Sequence, residues 1–251
     1  MKISKEQKDL NRKKMILAAV DVMNEDGITD ATMKKISQKA GMSEPVIYKY
    51  FPNRENLLLA YFEMVFEETK EELSNNSLFK ESSFPEQVQM ILSTQIEKYS
   101  KNKDFVAKAF RGVFTFQVAT VLTELQKHRE NYIEYMRELL NVAIESGEMQ
   151  HFAYKDFIAK ILWDYHLGII SYWTLDHSQD SAVTLQLIDK SLGLMKAFID
   201  SKIVDGTMEL VYFFLRQHIF ANMGSLVSFG IDLNQKSTKK EIFENKKNKK
   251  K

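Results

Sequence analysis

The sequence predicts an all-α protein, and three observations carry that expectation. Apolar residues recur at helical intervals through most of the chain, strand-like alternation and β-turn dipeptides are scarce, and the prolines stop at Pro85. With 251 residues, 44% of them apolar, there is material for one small and one larger helical domain, and 27% charge keeps the outside wet.

The elements can be justified in order. In the first helix Ile16, Ala19, Val20 and Met23 recur at i, i+3, i+4, i+7, and the pattern ends at Gly27. Thr32 is the expected N-cap of a second, short helix, because its hydroxyl can accept a bond from a free amide in the turn Met33-Lys34-Lys35. Met33, Ile36 and Ala40 give that helix one apolar face, with Lys34, Lys35 and Lys39 left in water. Gly41 follows, where a left-handed conformation stops a helix without a steric penalty. Ser43 is the next expected cap, with Glu44 and Pro45 in the first turn of the third helix. Ile47, Tyr50 and Phe51 point to the core, which leaves Glu44, Pro45, Val46, Tyr48 and Lys49 outward. Pro52 ends the helix, Asn53 can cap the fourth, and Arg54 lies in its first turn.

Two short helices around a glycine turn occur in many proteins, and Tyr48 alone has a second reading as a half-buried packing residue. The order of residues narrows the choice. The glycine, the serine cap, the run Tyr48-Lys49-Tyr50-Phe51 and the opening Arg54-Glu55-Asn56-Leu57 together resemble the N-terminal helix-turn-helix domain of TetR-family transcriptional regulators, over roughly residues 10 to 66. The resemblance implies that Thr32, Lys34 and Tyr48 touch phosphates or bases, that Arg54 grips the DNA backbone, and that Ser43, Glu44, Pro45, Val46 and Lys49 form the recognition face. This chain departs from the family's commonest pattern, a basic residue followed by glycine and a small hydroxyl, by carrying Glu44-Pro45-Val46. An acid can accept a bond from the exocyclic amine of cytosine and a valine can pack on a thymine methyl, so the departure bears on base preference.

The resemblance further implies a homodimer whose recognition helices enter successive major grooves of a palindromic double-stranded operator, about 34 to 36 Å apart. It implies an apolar or amphipathic small-molecule effector in the larger domain, one that releases the protein as a repressor. The expected division is a helix-turn-helix domain with a basic N-terminal arm over 1–56, a ligand-binding and dimerisation domain over 57–230, and a disordered basic tail over 231–251.

Charge is distributed to match. Residues 1–56 hold 11 basic and 8 acidic side chains and residues 232–251 hold 8 and 3, although the whole chain is only +1. A basic run over residues 1–14 can neutralise phosphates beside the groove, or it can be an ordinary solvated terminus.

The fourth helix reads as long, with Leu57, Leu58, Tyr61, Phe62, Val65 and Phe66 apolar. Ser74 to Pro85 reads as a loop with a turn of helix around Leu78 and Phe79. Further loops are expected at 101–103, 146–147, 177–181 and 205–206. The helix spanning Asp156 to Asp176 is aromatic-rich, and in the next helix Leu185, Ile188, Leu192, Met195 and Ile199 share a face. By position these two are the candidates for the family's dimer bundle, with Trp173 as an interface anchor. Phe110, Phe114, Phe116, Trp163 and His166 are the candidate ligand-chamber residues, against the plain alternative that an aromatic stripe is core.

No nucleophile, base and metal constellation occurs, so an enzyme, a metal site and a cofactor are not expected. Zero cysteines exclude disulfides and thiolate ligands. No apolar run of about 18 residues spans a membrane and the lysine-rich start lacks a signal-peptide core, so the expected location is the cytoplasm. One alternative stays open: residues 207–230 include an apolar helix that suits a lipid-binding carrier of the same fold, lying on a membrane by its C-terminal helix.

Overall fold

A computed structural model describes residues 4–113, 119–149 and 155–200, with backbone alone at 112–113, 119–124, 196 and 198–200. The expected apolar helix at 207–230, the basic tail, and Phe114 and Phe116 lie outside the described residues. Among the described residues there are helices and no strands.

Helix α1, Lys5–Asp26, starts where Ser4 accepts a bond from the Gln7 amide at 3.1 Å. The basic run is therefore helical from Lys5 onward, and the helix buries nothing before Met15. Gly27 closes it at φ +93°. Helices α2, Met33–Lys39, and α3, Glu44–Tyr50, follow, then α4, Arg54–Ser74. Asn53 caps α4 by accepting the Asn56 amide at 2.9 Å.

Helix α5, Ser77–Glu81, is the single turn expected near Phe79, and Gln87 ties it down through its amide donating to the Phe79 carbonyl at 2.8 Å. Helix α6, Phe84–Ser100, takes Pro85 inside its first turn, where no amide hydrogen is missed, behind a Ser83/Glu86 capping box. Helices α7, Lys103–Val113, α8, Ala119–Glu145, α9, Lys155–Leu175, and α10, Ala182–Asp200, complete the described chain.

The described residues up to Ala197 form one compact unit. Helix α4 is its axis, since α1, α6 and α8 all pack against it. Helix α9 lies against α8, α7 and α6. The core along α4 is aromatic: Phe66 meets Tyr132 at 5.1 Å between centroids, and Tyr61 meets Phe105 edge-on at 5.3 Å. Such pairs add to the burial of large rings because ring edges carry the opposite partial charge to ring faces.

One expectation is corrected here. Trp173 is no interface anchor: it is 1% exposed, its indole donates to Ser181 Oγ at 2.9 Å, and Lys103 Nζ stands over the ring at 5.1 Å. In α10, Thr184, Ile188 and Leu192, each one turn apart, are buried and Leu185 is exposed.

Candidate nucleic-acid interface and ligand chamber

The helix pair α2–α3 is built by local chemistry. Thr32 Oγ1 accepts the Lys35 amide at 3.2 Å, and Ser37 Oγ, buried, donates to the Lys34 carbonyl at 2.8 Å. Gly41 sits at φ +63°, a conformation in which a side chain is strained even though the nearest atom to an added Cβ, Lys14 Nζ, is 3.7 Å away. Ile47 is fully buried and Phe51 nearly so, and these two hold α3 to the domain.

The opposite face of α3 stands free. Ser43, Pro45, Tyr48 and Lys49 are exposed, Tyr48 to 49%, while Glu44 and Val46 are half-buried. The Ser43 hydroxyl makes no capping bond, which leaves it available to an outside partner. Helix α2 contributes Thr32 and Lys34, both exposed.

Charge on this surface is sorted by pairing. Lys35 and Lys39 are held by Asp26 at 2.8 Å and Glu25 at 2.7 Å, and these hydrogen bonds raise both ammonium pKa values. Among the described residues Lys34 and Lys49 have no carboxylate partner. Arg12 and Lys13, from the basic run, bridge to Glu63 and Glu68 of α4, each at 2.7 Å.

Arg54 is engaged with the chain that leads into Thr32. Its guanidinium donates to the carbonyls of Thr29 and Ala31, and its Nε donates to Glu55 at 3.0 Å. The side chain thus ties the start of α4 to the chain entering α2.

A cavity of about 320 Å³ lies between α4, α6, α7, α8 and α9. Phe110, Trp163 and His166 line it as expected, joined by Leu59 and Phe62 of α4, Tyr99 of α6 and His128 of α8. Its described lining carries neither a cation nor a carboxylate. His166 stacks on Tyr132 at 4.6 Å, and His128 stands edge-on to Trp163 at 5.4 Å. Burial pushes the His128 imidazole down to about 4 and His166 to about 3, so both are neutral near pH 7.

Sequence reasoning missed His128, Tyr99, Leu59 and Phe62 as lining residues. The one signal for His128 is its place in the run Leu125, His128, Tyr132, Met136, a titratable residue on an apolar helix face. Leu59 and His128 also line a smaller cleft of about 170 Å³ beside Tyr50, Phe51 and Pro52 at the end of α3. Among the described residues no cluster of His, Asp or Glu is arranged to hold a metal ion, and no helix is long and apolar enough to cross a membrane.

Residues 16–61 match the model described as bacterial regulatory proteins, tetR family, and residues 87–214 match the tetracyclin repressor-like C-terminal domain. The chain is 26% identical over 175 residues to the HTH-type transcriptional regulator YfiR of Bacillus subtilis, covering 67% of this chain and 82% of that one. In fold it is similar to the fatty acid degradation regulator FadR of Bacillus halodurans, with 18% identity, a TM-score of 0.56, and 76% and 96% of the two chains covered. The FadR of Bacillus subtilis solved with stearoyl-CoA gives 19% identity and a TM-score of 0.54, with 70% and 96% covered.

Proposed function

We propose that this chain, which belongs to the TetR family and is a ligand-responsive DNA-binding transcriptional regulator, acts in the cytoplasm as a repressor that binds a palindromic operator as a homodimer. The observation that carries the reading is the freestanding outer face of α3, with Pro45, Tyr48 and Lys49 in solvent and Ile47 locking the inner face. Thr32, Lys34 and Lys49 position the helix on phosphates, and Ser43, Glu44, Val46 and Tyr48 reach bases or sugar edges. Arg54 supports the site by fixing the entry to α2.

The second copy is expected on α9 and α10. Gly168, Tyr172 and Leu175 of α9 and Val183, Leu187 and Leu194 of α10 are exposed within the chain, at spacings that make one apolar stripe on each helix. Two such helices from each copy form a four-helix bundle that covers them. The proposed divisions are 1–56 for DNA, 57–230 for ligand and dimer, and 231–251 for a basic tail.

An apolar or amphipathic effector enters the 320 Å³ chamber. A FadR of this fold was solved with stearoyl-CoA, which supports an acyl-type ligand class for the chamber. Leu59 and His128 belong both to the chamber and to the cleft against the end of α3, so a ligand that displaces them also displaces α4 against the helix pair. DNA affinity then falls by as much as the ligand prefers the displaced state. The relatives named above give the lipid-carrier alternative no support.

Selection of random duplexes with the purified protein at low salt tests the reading. Enrichment of a two-fold symmetric sequence is the expected result, and enrichment of no sequence overturns it.

A further inference from the structure

The chamber buries polar atoms for which the described residues supply no hydrogen-bond partner. Both ring nitrogens of His166 and Nδ1 of His128 lack hydrogen-bond partners, although the residues are only 3% and 8% exposed and both line the cavity. The Tyr132 hydroxyl, on the ring that His166 stacks against, is also unpartnered. So are both amide atoms of Gln95, one turn before the chamber residue Tyr99 on the same face of α6. Folded proteins rarely leave that many buried polar groups unmatched in one place, and a concentration of them around an apolar cavity marks where a ligand's polar end belongs.

Resting on the reading of this cavity as the effector chamber, we infer that it takes a single-headed amphiphile whose head carries an un-ionised O–H, seated between His128 and His166. A neutral imidazole offers one N–H donor and one nitrogen acceptor, so an O–H group between the two rings can donate to the bare nitrogen of one histidine and accept from the N–H of the other. A permanently charged head finds no counter-charge, because the described lining holds no Lys, Arg, Asp or Glu. Burial keeps both rings neutral, so they supply no standing charge either. Size sets the body. At about 30 Å³ for each water-sized group, 320 Å³ holds on the order of ten non-hydrogen atoms, a medium-length chain.

Calorimetric titration of the full chain with 1-nonanol, nonanoic acid, 1-methoxyoctane and nonanoyl-CoA tests this. The alcohol is expected to bind at least tenfold more tightly than the ether, which keeps the length and loses the O–H. A nonanoic acid that binds with uptake of one proton identifies the acid as the source of the head; weaker binding than the alcohol identifies an alcohol. His166→Phe is expected to remove the difference between alcohol and ether, and His166→Gln, which keeps a donor and an acceptor, to restore part of it in a protein of the same helicity. Equal affinity for alcohol and ether, no binding of any probe, or nonanoyl-CoA binding more tightly than nonanol and unaffected by His166→Phe overturns the inference. Operator release is measured separately. A probe that binds through His166 without releasing DNA counts against the chamber as regulatory while the head-group site stands, whereas release by a probe whose binding is the same in His166→Phe sinks the head-group site alone.

Discussion

The Arg54 guanidinium donates to the carbonyl oxygen of Ala31 at 3.1 Å, stapling the first turn of α4 to the backbone just before α2. Charge-assisted bonds of this kind contribute about 1.5–3 kcal/mol each. Arg54→Ala is therefore expected to destabilise the protein by on the order of 2 kcal/mol in urea unfolding, and to weaken all operator variants alike. A variant of undiminished stability that still loses DNA affinity would instead assign Arg54 a direct phosphate contact.

Tyr48 and Lys34 carry no structural duty that the fold reveals. Tyr48→Ala and Lys34→Ala are expected to leave thermal stability unchanged and to weaken operator binding in gel-shift titrations. Loss of one phosphate contact at Lys34 should also reduce the salt dependence by about 0.9 in log–log slope per contact. Val46→Ala, by contrast, should alter which bases are preferred and leave nonspecific affinity alone.

Stability should fall on mild acidification because of His128 and His166. The unfolded imidazoles titrate near 6.5, while the folded ones, desolvated by burial, hold at about 4 and about 3. Between those limits the unfolded chain binds protons that the folded chain refuses. The contribution is full above pH 6.5 and is lost as pH falls, at about 1.4 kcal/mol per unit for each histidine, levelling once the folded rings protonate. Urea unfolding between pH 7.5 and 4.5 measures the slope, and the double substitution His128→Phe with His166→Phe should flatten it.

Asp176 joins α9 to α10. Burial acts to raise its pKa, but bonds from the Ser178 and Thr184 amides at 2.8 Å and from their hydroxyls at 2.6 Å outweigh burial and hold the carboxyl below its usual range. Asp176→Ala removes the cap of α10 and should cost on the order of 2 kcal/mol, with the proposed dimer weakened along with it.

Leu194, 72% exposed on α10, tests the dimer without touching the core. Leu194→Glu is expected to weaken self-association by about 2 kcal/mol, roughly 30-fold in Kd, in sedimentation velocity, with helicity unchanged. An unaltered association constant would place the interface elsewhere.

Much of the helix-turn-helix was legible because its signals are local. Thr32, Gly41 and Asn53 do in the structure what their residue types and spacing predict, and Ile47 is buried where the period puts it. The candidate chamber was legible only in part. Phe110, Trp163 and His166 line it, but Leu59, Phe62 and His128 read as ordinary members of apolar helix faces. Trp173 shows the limit from the other side: a large aromatic at the right interval can face its own core or a partner, and the interval is the same in both cases.

From the residues alone came the helical class, the caps Thr32 and Asn53 and the family, because capping and periodicity depend on neighbours three or four positions apart. Tertiary structure alone decided which apolar stripe became core, cavity or open surface, which lysines were already paired, and that Arg54 bonded to the carbonyls of Thr29 and Ala31. Those outcomes depend on side chains that meet across different helices, and such meetings leave no period in the chain.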